Sequence, residues 1–290
     1  TAYEIGVRLV GSEMCIRDRD MIESLVSWFC GKNKVLVSLS GGVDSALVAY
    51  AAFKALGKNA IAVSADYQTL SKDELDSAKS IAKEIGIPHV VIQYSELEND
   101  NFVRNDNNRC FYCRDELSEK LLEFARKHNV DVIVDGTQLD DLGDYRPGID
   151  ALRNHGIQSP LVETGFTKQD VRNTANIVGL SIYDKPSNSC LASRIPWGQR
   201  VTSEKLARIE MGERIVKQYF DTKQVRVRDL NGIAKIEVDP PKVESFCQGD
   251  TINQISKKLE MIGFNSVIID PHGYQSVSYT HLTLPTILLV

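Results

Sequence analysis

No stretch of this 290-residue chain approaches the ~20 consecutive apolar residues that a membrane-crossing helix needs. A leader with a basic start, an apolar middle and a small-residue cleavage site is missing too, so the sequence reads as cytoplasmic. Lysine- or arginine-rich runs are absent and the formal net charge is -5, which removes the electrostatic footprint of a nucleic-acid binder. There are six cysteines at irregular spacings, and in such a compartment they read as thiols, metal ligands or nucleophiles rather than a disulfide frame. The one CxxC, Cys110-Phe-Tyr-Cys113, lacks the second pair that a zinc site would use, and the five histidines show no ligand spacing. No GxxxxGK[ST] occurs, which excludes the Walker phosphate loop. Internal repeats and low-complexity segments are also missing. What remains is 42% hydrophobic and 25% charged residues, enough for one large or two modest folded domains.

Residues 1–19, containing SEMCIRDR, and residues 276–290, SVSYTHLTLPTILLV, resemble translated adapter read-through. They are set aside as one sets aside tags, taking Cys15 and His281 with them, and the natural protein is expected to continue past Tyr274. From 20 to 186, apolar runs at 35–39, 60–65, 89–93 and 130–134 alternate with helical patterns at 46–56, 72–85 and 115–128. That alternation predicts an α/β domain with a parallel sheet, helices on both faces and a ligand site beyond the carboxyl ends of the strands. Residues 187–201 read as a linker or active-site loop. Residues 202–275 read as a smaller α+β domain, with a helix over 202–220 capped by Thr202 or Ser203. It continues with strand patterns at 224–229 and 233–239, helices around 242–247 and 251–262, and a last strand at 266–269.

Ser40-Gly-Gly-Val-Asp-Ser45 follows the first strand and opens the first helix of that alternation. Adjacent glycines let backbone N–H groups close on an anion, and the helix adds its positive end, so the string is a phosphate loop. It resembles the PP-loop of the ATP pyrophosphatases, whose fold is adenine nucleotide alpha hydrolase-like and which cleave ATP to AMP and pyrophosphate. The resemblance places Ser40, Gly41, Gly42 and Ser45 on phosphate and Asp44 on phosphate or Mg²⁺. A carboxylate beside phosphates repels them unless a cation intervenes, so Mg²⁺ is expected. A second loop, Asp135-Gly136-Thr137-Gln-Leu-Asp140-Asp141, follows the strand at 130–134, and its Gly136, Thr137, Asp140 and Asp141 suit the same Mg²⁺-nucleotide site.

With Asp144-Tyr-Arg-Pro-Gly148, Ser159-Pro-Leu161, Thr167-Lys-Gln-Asp-Val-Arg172 and Asp184-Lys-Pro-Ser-Asn-Ser-Cys190-Leu-Ala-Ser-Arg194-Ile-Pro-Trp-Gly198, these strings resemble the ATP-dependent sacrificial sulfur transferases of the LarE type. The likeness runs from about Asp20 to Tyr274. It implies adenylation of a carboxylate of a pyridinium-dicarboxylate mononucleotide, then displacement of AMP by sulfur to leave a thiocarboxylate, in nickel-pincer nucleotide biosynthesis. Esterification to AMP gives the carboxylate a leaving group better than oxide. The resemblance makes Cys190 the sulfur-bearing position, with Arg194 and Lys185 expected to lower its pKa. In one branch this cysteine yields its own sulfur and becomes dehydroalanine. In another, two further cysteines join it to hold a [4Fe–4S] cluster with one iron open to carry sulfide, and Cys110, Cys113 and Cys190 fit that pattern. Cys30 and Cys247 sit in helical, partly apolar contexts and read as packing thiols.

Arg226 and Arg228 alternate on a strand and so share a face. The resemblance assigns them to the substrate phosphate, for which guanidinium forks are suited, although a solvated strand face has the same spacing. Glu210, Glu213 and Asp239 are candidate polar partners, and Trp197 suits either stacking on a pyridinium ring or packing. The resemblance also implies a homo-oligomer, a hexamer, with no membrane or nucleic-acid partner. tRNA thiolation is the alternative activity, since those enzymes also join a PP-loop to cysteines. Amidation of the NAD or GMP synthetase kind is a third class, which needs an ammonia source rather than three thiols.

Overall fold

The computed structural model describes residues 19–143, 146–219, 222, 224–244 and 251–274. Four parallel strands, β1 (Val35–Ser38), β2 (Ala60–Tyr67), β3 (His89–Tyr94) and β4 (Val132–Val134), lie in the order β3-β2-β1-β4. The helices are α1 (19–29), α2 (Val43–Leu56), α3 (Lys72–Ile85), α4 (Asp100–Val103), α5 (Arg109–His128), α6 (Pro147–Asn154), α7 (Pro160–Glu163), α8 (Lys168–Ile177), α9 (Ser203–Tyr219) and α10 (Thr251–Met261). Val35, Leu36 and Val37 of β1 are wholly buried, because helices cover both faces of the sheet. On one face Val35 and Val37 pack with α2, whose Ala46, Leu47, Val48, Ala49, Ala51 and Ala52 are buried all round, and with α1, α3 and α8. On the other, Leu36 and Val63 meet Leu117, Leu121 and Ala125, a stripe of every fourth residue along α5.

A second sheet, β5 (Val225–Leu230), β6 (Ile233–Val238) and β7 (Ser266–Ile269), pairs β5 antiparallel and β7 parallel to β6. Asn231 and Gly232, with φ of 56° and 95°, make the two-residue hairpin turn between β5 and β6. Val216, Val227, Ile236, Ile255, Leu259 and Phe264 form its core against α9 and α10. The fold is therefore α/β, with a parallel-sheet PP-loop-like domain followed by a smaller mixed-sheet domain.

Lys72–Ile85 and Ser266–Ile269 coincide with the sequence expectation end to end. α5 instead begins at Arg109, six residues before the expected start, which puts Cys110 and Cys113 on the first turns of a helix. The segments carrying Gly148, Ser159 and Thr167 form α6, α7 and α8 rather than loops alone. Of the helix expected around 242–247, a short turn Pro240–Lys242 and residues 243–244 are described. Cys15, Asp144, Tyr145, Cys247 and His281 lie outside the described residues, as do the set-aside ends apart from Arg19, the first residue of α1.

Because β1 and β4 are neighbours, the loops leaving their carboxyl ends lie side by side. Leu191 N–H, just after Cys190, donates to Thr69 O at 2.8 Å, which brings the 187–201 loop to the same edge.

Candidate active site

The loop after β1 turns at Gly41, whose φ of 82° is left-handed and whose added Cβ would stand 2.4 Å from Glu74 O. Gly42 is different: its φ of -91° and ψ of 161° are ordinary extended values at the N-cap of α2, so only one of the two glycines is required by conformation. Ser45 closes the loop, its hydroxyl accepting from Ser40 N at 3.2 Å, donating to Gly42 O at 3.1 Å and lying 3.1 Å from Ser40 Oγ. The first-turn N–H groups of α2 then face outward at a positive helix end, the geometry of an anion cradle.

Asp44 stands in that turn with its pKa raised to about 6, by burial first and by Asp141 second, against the pull of Lys168 and Arg172. Its Oδ1 is buried and has no hydrogen-bond partner among the described residues. An orphaned carboxylate oxygen opposite a second carboxylate from the neighbouring loop fits Mg²⁺, which binds one or two carboxylates together with phosphate oxygens. Gly136 sets how close the two loops come: a Cβ there would be 2.6 Å from Ser45 N and 2.9 Å from its Cα. The other acidic-loop residues divide their roles. Thr137 gives its hydroxyl to Asp135, which also accepts from Ser159 Oγ at 2.7 Å, and burial raises the pKa of Asp135. Asp140 accepts from Lys168 N at 2.8 Å, at the start of α8. Asp141 accepts from Gln138 N at 3.1 Å and pairs with Arg146.

Lys185 ties the third loop to this cradle. Its Nζ reaches Gly41 O, Glu74 Oε2 and Ser77 Oγ, each at 2.8 Å. The expectation that Lys185 lowers the pKa of Cys190 therefore gives way, since that ammonium is engaged at the phosphate loop. The thiol itself is pushed up, by burial first and by Cys110 and Glu96, while Arg109 opposes most strongly and Arg194 less so. Desolvation outweighs the cations, and the leading cation is one the sequence reading did not single out.

Cys113 and Cys190 pack in one apolar cluster with Phe102, Val103, Leu191 and Ala192, and Cys110 and Cys113 each interact electrostatically with Cys190. The three thiols thus lie in one region of the fold. Among the described residues no three His, Cys, Asp or Glu side chains are gathered about a single metal ion. Cysteines from a helix start and a loop are the residue type that ligates iron–sulfur clusters. Cys30, read as a packing thiol, is exposed at the end of α1.

Glu96, missed by the sequence reading, lies wholly buried beside Cys113. Its pKa is raised to about 7 by burial, against hydrogen bonds from Cys113 and Thr69. Arg114, also missed, interacts with Tyr67, Cys113 and Asp135 and so bridges the thiols to the acidic loop.

On the far side of the Cys190 loop, Arg194 is 1% exposed and holds the loop together. Its Nη1 donates to Cys190 O at 2.8 Å and Ser189 O at 2.5 Å, Nη2 to Asn188 Oδ1 at 3.0 Å, and Nε to Glu213 Oε1 at 2.9 Å. Glu213 also accepts from Val227 N at 3.2 Å, which singles it out from Glu210, bound to Lys72 N, and Asp239, bound to Thr222 Oγ1. Arg226 and Arg228 both project from β5 toward the same loop, to Ser187 O at 3.3 Å and Ser193 O at 3.1 Å. Arg228 pairs with Glu237 at 2.6 Å. Burial first, then the neighbouring Arg194, lowers the pKa of Arg226, against the pull of Glu213. Trp197 is 40% exposed beyond the loop.

The sequence pattern of the NAD synthase family matches residues 16–110. An uncharacterized protein of Synechocystis sp., slr1717, is 39% identical over 88% of this chain and 95% of its own length. The pyridinium-3,5-bisthiocarboxylic acid mononucleotide synthase of Lactiplantibacillus plantarum is 31% identical over 87% of this chain and 91% of its own. A tRNA-specific 2-thiouridylase of Geotalea uraniireducens is 30% identical, over 53% of this chain and 52% of its own.

Proposed function

The chain belongs to the PP-loop, NAD-synthetase-like superfamily and within it to the LarE family, and from that premise we propose that it is an ATP-dependent adenylating sulfur transferase. Its proposed substrate is pyridinium-3,5-biscarboxylic acid mononucleotide, converted to a thiocarboxylate on the way to a nickel-pincer nucleotide. The observation that carries the reading is the junction itself: Lys185, five residues before Cys190, donates to Gly41 O of the phosphate loop, which supports a thiol acting in concert with an ATP site. Full-length likeness to the Lactiplantibacillus plantarum synthase supports the same substrate class.

In this scheme Ser40, Gly41, Gly42 and Ser45 hold the ATP phosphates, Gly136 and Thr137 shape the adjoining wall, and Asp44 and Asp141 hold Mg²⁺, with Asp140 anchoring their loop to α8. A substrate carboxylate oxygen attacks the α-phosphorus and pyrophosphate leaves. Sulfur then attacks the acyl carbon and AMP departs with the oxygen it gained. Arg226 and Arg228 hold the mononucleotide's phosphate, and Arg194 keeps the Cys190 loop in place. Cys110, Cys113 and Cys190 would ligate a [4Fe–4S] cluster, and three-thiolate ligation leaves a coordination position from which sulfide can be supplied. Cytoplasmic action fits this chemistry, and among the described residues no helix is long and apolar enough to cross a membrane.

The test is anaerobic incubation with ATP, Mg²⁺, sulfide and the pyridinium mononucleotide, with bulk tRNA in a parallel reaction. Pyrophosphate release dependent on the mononucleotide, with one oxygen replaced by sulfur in its mass, is the expected result. Thiolated tRNA with an unchanged mononucleotide would overturn it and favour the activity of the thiouridylase relative, which matches over about half its length.

A further inference from the structure

The segment between α4 and α5 and the first residue of α5 hold two residues that the scheme above leaves without a task, Asn105 and Arg109. Asn105 is wholly buried with φ of 60°, a left-handed conformation uncommon for a side-chain-bearing residue. Its Nδ2 donates to Pro196 O and Gln199 O, each at 2.8 Å, and its own carbonyl accepts from Gly198 N at 3.0 Å. Asn105 Oδ1 accepts from Arg109 Nη1 at 2.6 Å, and the same nitrogen donates to Ala192 O at 2.8 Å. The pair therefore grips the Cys190 loop at Ala192 and again at 196–199, from the residue immediately before Cys110.

Arg109 is 3% exposed and is the first residue of α5, where the helix dipole disfavours a cation. A buried guanidinium in an unfavourable field needs a compensating use. Its bonds to Asn105 Oδ1 and Ala192 O supply one, since they hold the start of α5 to the Cys190 loop.

We propose that Arg109, oriented by Asn105, is a positioning residue that registers the Cys190 loop against the Cys110–Cys113 turn. The registration itself does not rest on the sulfur-transfer reading; its effect on turnover does.

The experiment treats metal-free full-length protein with dibromobimane, which becomes fluorescent on bridging two nearby thiols, and maps bridged peptides by mass spectrometry. Wild type should bridge Cys190 to Cys110 or Cys113. Arg109→Gln should retain its thermal melt but bridge about tenfold more slowly, as expected for losing a charge-assisted hydrogen bond, and Arg109→Lys should recover most of the rate. In turnover, sulfur transferred per pyrophosphate released should fall with Arg109→Gln and recover with Arg109→Lys. Failure of wild type to bridge, wild-type bridging in Arg109→Gln, or a loss in Arg109→Lys as deep as in Arg109→Gln would each overturn the proposal. If Arg109→Gln does not fold, the lysine variant decides alone: near-wild-type bridging supports the proposal and background bridging refutes it. Bridging as expected without any thiocarboxylate product in wild type would refute the sulfur-transfer reading and leave the registration standing.

Discussion

Replacing Glu96 by glutamine tests whether the carboxyl beside Cys113 is held in the protein at a cost to its stability. Burial raises this group from 4.5 to about 7, and Thr69 and Cys113 recover only part of the loss. Between those two values the folded protein keeps a proton that the unfolded chain has already released. Stability therefore falls as pH rises across the window: the favourable contribution is complete below about 4.5 and gone above about 7. The shift corresponds to about 3 kcal/mol at alkaline pH. Glutamine has the same shape, accepts from Thr69 and does not ionise. Urea unfolding of wild type and Glu96→Gln at several pH values reads the difference directly, because titrations shared by both proteins cancel. The variant should match wild type near pH 4.5 and exceed it by about 3 kcal/mol near pH 8. A difference that stays flat with pH, or that favours wild type at high pH, would refute the reasoning.

Three further outcomes follow from the site. Gly136→Ala should cost about 1–3 kcal/mol in urea unfolding, because its Cβ would stand 2.6 Å from Ser45 N, and calorimetric titration should show weakened ATP binding. Asp44→Asn should abolish Mg²⁺-dependent pyrophosphate release yet stabilise the nucleotide-free protein by about 3 kcal/mol near pH 8, since it removes a carboxylate whose pKa burial raises to about 6. Unchanged pyrophosphate release would remove Asp44 from the metal site. Arg194→Met should destabilise by about 3–5 kcal/mol in the same unfolding assay, because it leaves Glu213 buried without its ion-pair partner.

The parallel sheet was legible because its strands are short, continuous apolar runs, and the phosphate loop because SGGVDS sits where a strand meets a helix. Helix starts were less visible. Arg109-Cys-Phe-Tyr-Cys113 contains residues of modest helix propensity, which masked the first turns of α5. Pro147 and Pro160 stand at the first helical positions of α6 and α7, and Thr167 with Asp170 forms a capping box at α8; those signals were available to find all three. Glu96 had no such signal, since Ser95-Glu-Leu-Glu98 has the composition of a solvated turn and only tertiary packing buries its first acid. Lys185 and Cys30 show the converse limit. Nearness in sequence to Cys190 suggested a partner for Lys185 that the fold gives to Gly41, and a helical context suggested burial for a thiol that is exposed. Three-dimensional closeness of Arg109 to Cys190, across more than eighty residues of chain, is likewise outside what spacing reveals.

The central claim is that an ATP cradle and a thiol site act in sequence on one carboxylate. Its most direct test uses pyridinium mononucleotide with heavy oxygen in the carboxylates and follows the label by mass spectrometry after turnover with unlabelled ATP. The account predicts one heavy oxygen in AMP for each thiocarboxylate formed and none in pyrophosphate. Unlabelled AMP accompanying thiocarboxylate would contradict it, because sulfur would then have entered without an acyl-adenylate.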